Sequence, residues 1–254
     1  MPLRAAGLEA AEARRASSAL TARAQGPSAS RIAHAGLPFA NPISEAAVDA
    51  AIRSLPLGPD PLILDTGCGN GEMLLRALRA YPRARGLGVD LDADAIAEAR
   101  ERGAGLPVRF EVQDAATVRG DFQAVINVGA SHAHGGFPAA LTALRALAPV
   151  VLYGEGFWNR PPSAAFLDAL GGATVDELAD LGGLHAAALD AGFHIVSESI
   201  ASSRDWAIYE ETLADNAERH GGPQTAAYAR RIRERRALRH GTTTLGFSLL
   251  VLYG

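Results

Sequence analysis

The 254-residue sequence predicts an α/β fold in which helices cover both faces of a parallel sheet. Short apolar runs alternate with helical stretches of about ten residues between Leu62 and Tyr153, the pattern of repeated βαβ units. A glycine-rich loop follows the first of these runs. Apolar residues make up 48% of the chain, enough to fill one large core.

The predicted elements follow in order along the chain. After a loop at Ala35–Ile43, a helix begins at Ser44, which caps it, with Glu45 in its first turn. Strands alternate with helices from there on. The strands are predicted at Leu62–Leu64, Gly86–Val89, Val108–Val112, Gln123–Val128 and Val150–Tyr153, and the helices at Glu72–Arg79, Ala93–Arg102 and Ala139–Ala148.

The two ends of the chain differ from this middle part. Residues Met1–Pro27, rich in Ala, Arg, Ser and Gly, are expected to form an N-terminal extension without a fixed structure, so that the main domain spans residues 28–254. Near the C-terminus, strands are predicted at His194–Ile200 and Leu245–Tyr253. The charged, mainly helical segment Asp205–His240 between them is too long for an ordinary connection, and we expect a helical lid there, broken at Gly221-Gly222.

Composition excludes several classes of function. The formal net charge is −4, which gives no general attraction to nucleic acid or to an anionic membrane. All basic side chains are arginines, so Lys-based Schiff chemistry and a Walker phosphate site are excluded. A single cysteine, Cys68, and the absence of an apolar leader or membrane span predict a cytoplasmic protein, and the scattered histidines predict no metal site.

The central motif is the loop Leu64-Asp65-Thr66-Gly67-Cys68-Gly69-Asn70-Gly71, which joins a strand to a helix. Its spacing is Gly-x-Gly-x-Gly, whereas the dinucleotide fingerprint needs its third glycine one position later, where Glu72 stands. Asp65 would repel a pyrophosphate but would favour a positively charged ligand. The loop therefore argues against a nicotinamide cofactor.

Three acids follow three consecutive predicted strands: Asp65, Asp90 and Asp114. Asp90 lies about twenty residues beyond the loop, where a carboxylate accepts hydrogen bonds from ribose hydroxyls. Asp114 is positioned to accept a bond from the exocyclic amine of an adenine. Because ligands of open α/β sheets bind at the carboxyl ends of the strands, the three acids predict one nucleoside-binding site.

These residues resemble the successive motifs of the class I S-adenosylmethionine-dependent methyltransferases, in particular those that act on small molecules. Leu64–Gly71, Gly88-Val89-Asp90 and Gln113-Asp114-Ala115 carry the resemblance. It implies a Rossmann-like sheet of seven strands with an antiparallel last strand and a helical insertion before it. It also implies that S-adenosylmethionine is the cofactor and S-adenosylhomocysteine the product. The cofactor-binding residues that we expect are Asp65, Gly67, Cys68, Gly69, Gly71, Asp90, Leu91, Asp114, Ala115, Asn127 and Gly129.

The acceptor site is less defined by sequence, since positioning alone contributes roughly 7–11 kcal/mol to such a displacement and no base is obligatory. His132, after the fourth strand, is the candidate general base because its ordinary pKa lies near neutrality. The expected substrate-binding residues are His132, Glu155, Trp158, Trp206 and Tyr209. Trp206 and Tyr209 share a helical face, which we expect to close over the methyl donor.

The residues leave other functions open. A non-catalytic S-adenosylmethionine-binding regulatory protein needs the same loop and acids, and an NAD(P)-dependent reductase shares Asp90. A nucleic-acid methyltransferase would need a basic domain, which this sequence lacks. We expect a small-molecule substrate, no nucleic-acid or membrane partner, and a homodimer as an alternative to the monomer.

Overall fold

The computed structural model describes residues 28–238 and 244–254. The expectation for Met1–Pro27 lies outside the described residues, and so do Arg239 and His240 at the end of the predicted lid. Along the described ranges, no helix is long and apolar enough to cross a membrane.

Seven strands form one sheet in the order β3-β2-β1-β4-β5-β7-β6. The first five pair in parallel, and β7 runs antiparallel to both β5 and β6. This confirms the predicted fold, including the antiparallel last strand. The strands are β1 Leu62–Thr66, β2 Arg85–Asp90, β3 Val108–Val112, β4 Ala124–Val128, β5 Val150–Trp158, β6 His194–Ile200 and β7 Leu245–Tyr253.

Helices cover both faces of the sheet. They are α1 Ala29–Ala33, α2 Glu45–Arg53, α3 Glu72–Ala80, α4 Ala93–Arg102, α5 Phe137–Arg145, α6 Ala164–Ala169, α7 Leu181–Asp190, α8 Ser203–His220 and α9 Pro223–Ala237. One face packs against α2, α3, α4 and Trp206 of α8. The other face packs against α5 and α7. Alternate residues of the central strands β1, β4 and β5 point into the two cores, as expected for parallel strands buried on both sides.

The fifth strand is longer than the sequence predicted. The expected strand ended at Tyr153, but β5 continues to Trp158 because β7 pairs with it along its whole length, from Val150–Tyr253 to Trp158–Leu245. The sequence did not predict this extension because it contains Gly154 and Gly156, and glycine usually weakens a strand. The Cβ of an alanine at 154 would lie 2.6 Å from Val128 Cγ1, so close packing with β4 leaves no room for a side chain there.

The segment before β7 forms the predicted helical insertion. Ser202 caps α8, and Gly221 and Gly222, both with positive φ, separate α8 from α9. The two helices and α1 share a separate small apolar cluster, formed by Ala33, Leu213, Ala214, Ala217, Ala229 and Ile232. The insertion therefore anchors the first described helix beside the carboxyl end of the sheet.

Candidate active site

The glycine loop turns sharply between β1 and α3. Gly67, Gly69 and Gly71 all have positive φ, and Gly71 immediately precedes α3. The N–H groups of Gly67 and Cys68 both donate to the Val89 carbonyl, at 2.9 and 3.0 Å. A Cβ at 67 would lie 2.5 Å from Ala130 Cβ, whereas a Cβ at 69 would meet nothing within 4 Å. Gly69 therefore leaves its backbone open to a ligand.

An open cavity of about 1010 Å³ lies against this loop. One wall is the loop itself, with Met73 of α3, and the floor includes Val128 at the end of β4. The opposite wall is the segment 28–41 together with Tyr209 of α8. The cavity is lined by residues of three stretches, Ser28–Asn41, Asp65–Met73 and Asp92–Arg102, and by Glu45, Val128 and Tyr209.

Asp65 is the most perturbed acid of the cavity. Its side chain is only 3% exposed, and its Oδ2 accepts no hydrogen bond within the described part of the chain. Burial, followed by the charge of Asp90, raises the pKa of Asp65 to about 8, while a hydrogen bond involving the Leu74 backbone partly opposes this rise. A buried carboxylate oxygen without a hydrogen-bond partner is costly. A cationic group in the cavity would supply the missing partner.

Asp90 holds the loop in place. Its Oδ2 accepts from the N–H of Gly69 at 2.8 Å, and its Oδ1 accepts from the N–H of Asp92 at 2.9 Å. Each carboxylate oxygen retains a second acceptor position for a ligand hydroxyl. Leu91 beside it is 67% exposed, an apolar surface at the end of β2.

Asp114 and Ala115 follow β3, the next strand outward. Asp114 accepts from the N–H of Ala116 at 3.0 Å and so begins the short 3₁₀ helix Ala115–Thr117. Ala115 is buried. Since β3, β2 and β1 are neighbours in the sheet, the three predicted acids stand on one edge, although of the three only Asp65 lines the cavity.

The remaining predicted cofactor residues lie beneath the loop. Asn127 is fully buried and donates from Nδ2 to Thr66 Oγ1 at 2.9 Å, and its Oδ1 accepts no hydrogen bond in the described residues. Gly129 continues from β4 with a φ of 70° and donates to the Gly154 carbonyl. Burial raises the pKa of the Cys68 thiol, so Cys68 is unsuited to act as a nucleophile.

Three of the predicted acceptor residues lie away from the cavity. His132 is exposed in the 3₁₀ helix Ser131–His134. Glu155 is buried and accepts from Tyr153 Oη at 3.2 Å and from the Gly156 N–H at 2.9 Å. Trp158 donates from Nε1 to the Val175 carbonyl at 2.8 Å. The role of His132 as general base stays a prediction.

The other two, Trp206 and Tyr209, pack edge to face with ring centroids 6.2 Å apart. Trp206 is 4% exposed and belongs to the main core. Tyr209 lines the cavity, and its Oη lies 3.0 Å from the Ala40 carbonyl oxygen. The expectation that both rings face the cavity is therefore wrong for Trp206, because only Tyr209 reaches it.

Sequence reasoning missed the segment 28–41. Leu37, Phe39 and His34 line the cavity, and the Arg31 guanidinium binds both carboxylate oxygens of Asp92 at 3.0 Å. This segment precedes the first strand and contains no motif. The signal that the sequence offered was an aromatic residue, Phe39, in a stretch expected to be a loop, and the structure buries this residue.

Together the loop and the strand-end acids define an α/β ligand-binding protein of the Rossmann-like class. A family model for a methyltransferase domain matches residues 63–152. The chain is 31% identical over 180 residues to the uncharacterised protein YjhP of Escherichia coli K12, covering 67% of this chain and 72% of YjhP. The X-ray structure of YjhP matches with a TM-score of 0.78 and 26% identity, covering 90% of this chain and all of that one.

Two solved S-adenosylmethionine-dependent methyltransferases, each in complex with S-adenosylhomocysteine, are also similar. That from Thiobacillus denitrificans has a TM-score of 0.71 and 26% identity, covering 88% of this chain and 96% of its own. The protein from Geobacter sulfurreducens has a TM-score of 0.75 and 24% identity, covering 87% of this chain and 95% of its own. This match shows the shared fold.

The chain belongs to the class I S-adenosylmethionine-dependent methyltransferases. The family, the enzyme class and the cofactor that the loop and acids predicted are confirmed. The nicotinamide-dependent reductase is accordingly not the function of this chain.

Proposed function

We propose that this protein transfers the methyl group of S-adenosylmethionine to a small-molecule acceptor that binds in the cavity beside the glycine loop. The observation that carries this proposal is the cavity itself. Its volume of about 1010 Å³ is at the top of the range of roughly 300–1,000 Å³ typical of a single ligand site. It can therefore hold a cofactor and a small acceptor together.

The residues of the loop fit this cofactor. Asp65 carries a buried oxygen without a partner, which suits the ammonium group of the methionine part. Gly69 presents open backbone, and Asp90 keeps acceptor positions for hydroxyls. When bound, the cofactor supplies a methyl group on a sulfonium, which is an activated carbon electrophile.

The far wall of the cavity, formed by segment 28–41 and Tyr209 opposite the glycine loop, has a composition that suits a small acceptor. Leu37 and Phe39 of this wall are apolar, as is Val128 of the floor, whereas Tyr209 and Asn41 bring polar atoms, the usual composition of a small-molecule site. The wall restricts water and orients the acceptor, and orientation is the main source of rate in such a displacement. The net charge of −4 speaks against a nucleic-acid substrate.

Two measurements test the proposal. Calorimetry with S-adenosylhomocysteine should show specific binding to the full chain. Tritiated S-adenosylmethionine should then label compounds in pools of small phenols, alcohols, amines and thiols. Labelling of added RNA or protein, with no small molecule labelled, would replace the small acceptor by a macromolecule. Binding without labelling of any acceptor would favour the regulatory protein instead.

A further inference from the structure

His34 and Tyr209 connect segment 28–41 with α8, the two parts of the cavity wall opposite the glycine loop, through a chain of hydrogen bonds. Nδ1 of His34 lies 2.7 Å from the Ser30 carbonyl oxygen, and its Nε2 lies 2.8 Å from Tyr209 Oη. Tyr209 Oη also lies 3.0 Å from the Ala40 carbonyl oxygen. Both His34 and Tyr209 line the cavity.

These contacts determine the tautomer of neutral His34. A carbonyl oxygen only accepts hydrogen bonds, so the proton of neutral His34 must be on Nδ1, where it donates to Ser30. The lone pair is then on Nε2, and Tyr209 donates to it. The phenol has one proton, so in this state it cannot also donate to Ala40.

The same arrangement also accommodates the protonated form of His34. Nε2–H then donates to Tyr209 Oη, and the phenol turns its own proton to the Ala40 carbonyl. The neutral form fills two of the three contacts with hydrogen bonds, and the protonated form fills all three, with the heavy atoms in the same positions. A pair with this property can take up a proton and hold it.

We propose that Tyr209 and His34 together accept the proton that the acceptor loses when it is methylated. This inference rests on the proposed function and specifies its substrate class, an acceptor with a dissociable hydrogen on oxygen, nitrogen or sulfur. The acceptor heteroatom forms its bond to the methyl carbon as the carbon–sulfur bond breaks, leaving the electron pair on sulfur. The heteroatom–hydrogen bond breaks, its proton passes to Tyr209 Oη, and the phenolic proton moves to Nε2 of His34.

The surroundings keep His34 neutral and in place before the transfer. Burial lowers the pKa of His34, while its hydrogen bond to the Ser30 backbone raises it in part, so burial favours the neutral form that can accept a proton. Asn216 of α8 donates to the carbonyls of Ala33 and Ala35 at 2.9 and 2.8 Å and so fixes the histidine against Tyr209.

The charged and titratable neighbours of the pair are few. Arg31, on the same helix as His34, is bound to Asp92. Tyr209 interacts with Tyr228 and Arg235 of α9 and with Glu210 of its own helix, and Glu210 and Arg235 are ion-paired at 2.9 Å.

Nitrogen-15 NMR of the protein saturated with S-adenosylhomocysteine tests the pair without any acceptor. At pH 7 we expect His34 to be neutral with its proton on Nδ1, and Tyr209→Phe to shift the Nε2 resonance. An imidazolium at pH 7, or the Nε2–H tautomer, would overturn the proposal. Failure of S-adenosylhomocysteine to bind would instead count against the proposed function.

Kinetics with an acceptor from the labelling screen gives the second readout. His34→Gln and Tyr209→Phe should each lower kcat by about 10²–10⁴-fold, the usual contribution of a general base. His34→Gln should also remove the fall in kcat/KM at low pH that protonation of His34 causes in the wild type. Affinity for S-adenosylhomocysteine should stay within about twofold.

A matched control separates this role from the mere loss of a histidine. His194, exposed at the start of the edge strand β6, is replaced in His194→Gln, which should retain the wild-type rate and pH profile. A His34→Gln enzyme with wild-type kcat, or with an unchanged acidic limb, would show that the proton goes elsewhere, His132 being the next candidate.

Discussion

The two sides of the cavity are built in different ways. The cofactor side consists of one loop and three neighbouring strand ends, and its key contacts join residues close together in the sheet, such as Asp90 and Gly69. The far side consists of segment 28–41 and α8, whose contacts join residues far apart in sequence, such as His34 and Tyr209. The first side is a motif, and the second is an arrangement that exists only after folding.

This difference predicts which changes affect which ligand. On the cofactor side, substitutions should weaken cofactor binding directly. On the far side, they should act on the acceptor or on the rate at which ligands enter and leave. The predictions below proceed from the largest expected effect to the smallest.

Gly69→Val should cause the largest loss on the cofactor side. Its Cβ would point into the cavity with no protein atom within 4 Å, so the side chain would occupy ligand space. Gly105→Val is the control, because Gly105 also has positive φ and open surroundings but lies between α4 and β3. Both should lose roughly 1–2 kcal/mol of stability from the backbone strain. By calorimetry, only Gly69→Val should lose S-adenosylhomocysteine binding, and equal affinities would contradict the placement of the ligand.

Asp65→Asn should weaken S-adenosylhomocysteine binding about 10- to 100-fold, because a charged hydrogen bond contributes roughly 1.5–3 kcal/mol. Asp60→Asn, which removes an exposed carboxylate paired with Arg83, should leave the affinity unchanged. If Asp65→Asn bound S-adenosylhomocysteine with wild-type affinity, the unpartnered Oδ2 of Asp65 would have no part in cofactor binding.

The same variant should change the pH dependence of stability. Folding raises the pKa of Asp65 from an ordinary 3.8 to about 8, so the protonated form favours the folded state. The ligand-free wild type should therefore lose stability as the pH rises between these two values. Asp65→Asn has no such loss, and its free energy of unfolding at pH 9 should exceed that of the wild type. Urea titrations at pH 4 and pH 9 measure the difference, which would vanish if Asp65 were ionised throughout.

Asp90→Ala should weaken S-adenosylhomocysteine binding by about 10-fold or more, since it removes both the bond to Gly69 and an acceptor for ribose hydroxyls. Asp90→Asn, which keeps one carbonyl oxygen, should lie between the wild type and Asp90→Ala. Calorimetry on the folded variants measures the affinity of the three proteins for S-adenosylhomocysteine. An unchanged affinity in Asp90→Ala would show that Asp90 serves only to hold the turn.

Arg31→Ala should have the smallest effect. The ion pair between Arg31 and Asp92 crosses from the far side to the cofactor side and is partly exposed, so its contribution is about 0–1 kcal/mol. We expect S-adenosylhomocysteine to dissociate a few-fold faster in stopped-flow experiments, with little change in stability. Arg83→Ala, which breaks an exposed pair with Asp60, is the control. Equal dissociation rates in the two variants would show that segment 28–41 does not restrain the ligand.

The cofactor side could be predicted from sequence because its requirements are local. Gly67, Gly69 and Gly71 are needed by a left-handed turn within one loop, and the acids Asp65, Asp90 and Asp114 each lie at or just beyond the carboxyl end of a strand. Chain order and the rules of parallel sheets then bring these ends to one edge. Even so, the continuation of β5 to Trp158 depended on its pairing with β7, a partner about a hundred residues later in the chain.

Sequence alone thus determined the fold class, the cofactor and the loop that faces it, because each depends on short patterns with direct physical meaning. Only the tertiary structure decided which side chains form the far wall. Periodicity placed Trp206 and Tyr209 on one face, but packing buried the first in the core and left the second at the cavity. His34 carried no signal at all, since its role comes from a contact with a residue 175 positions away, and no local pattern encodes a distance of that kind.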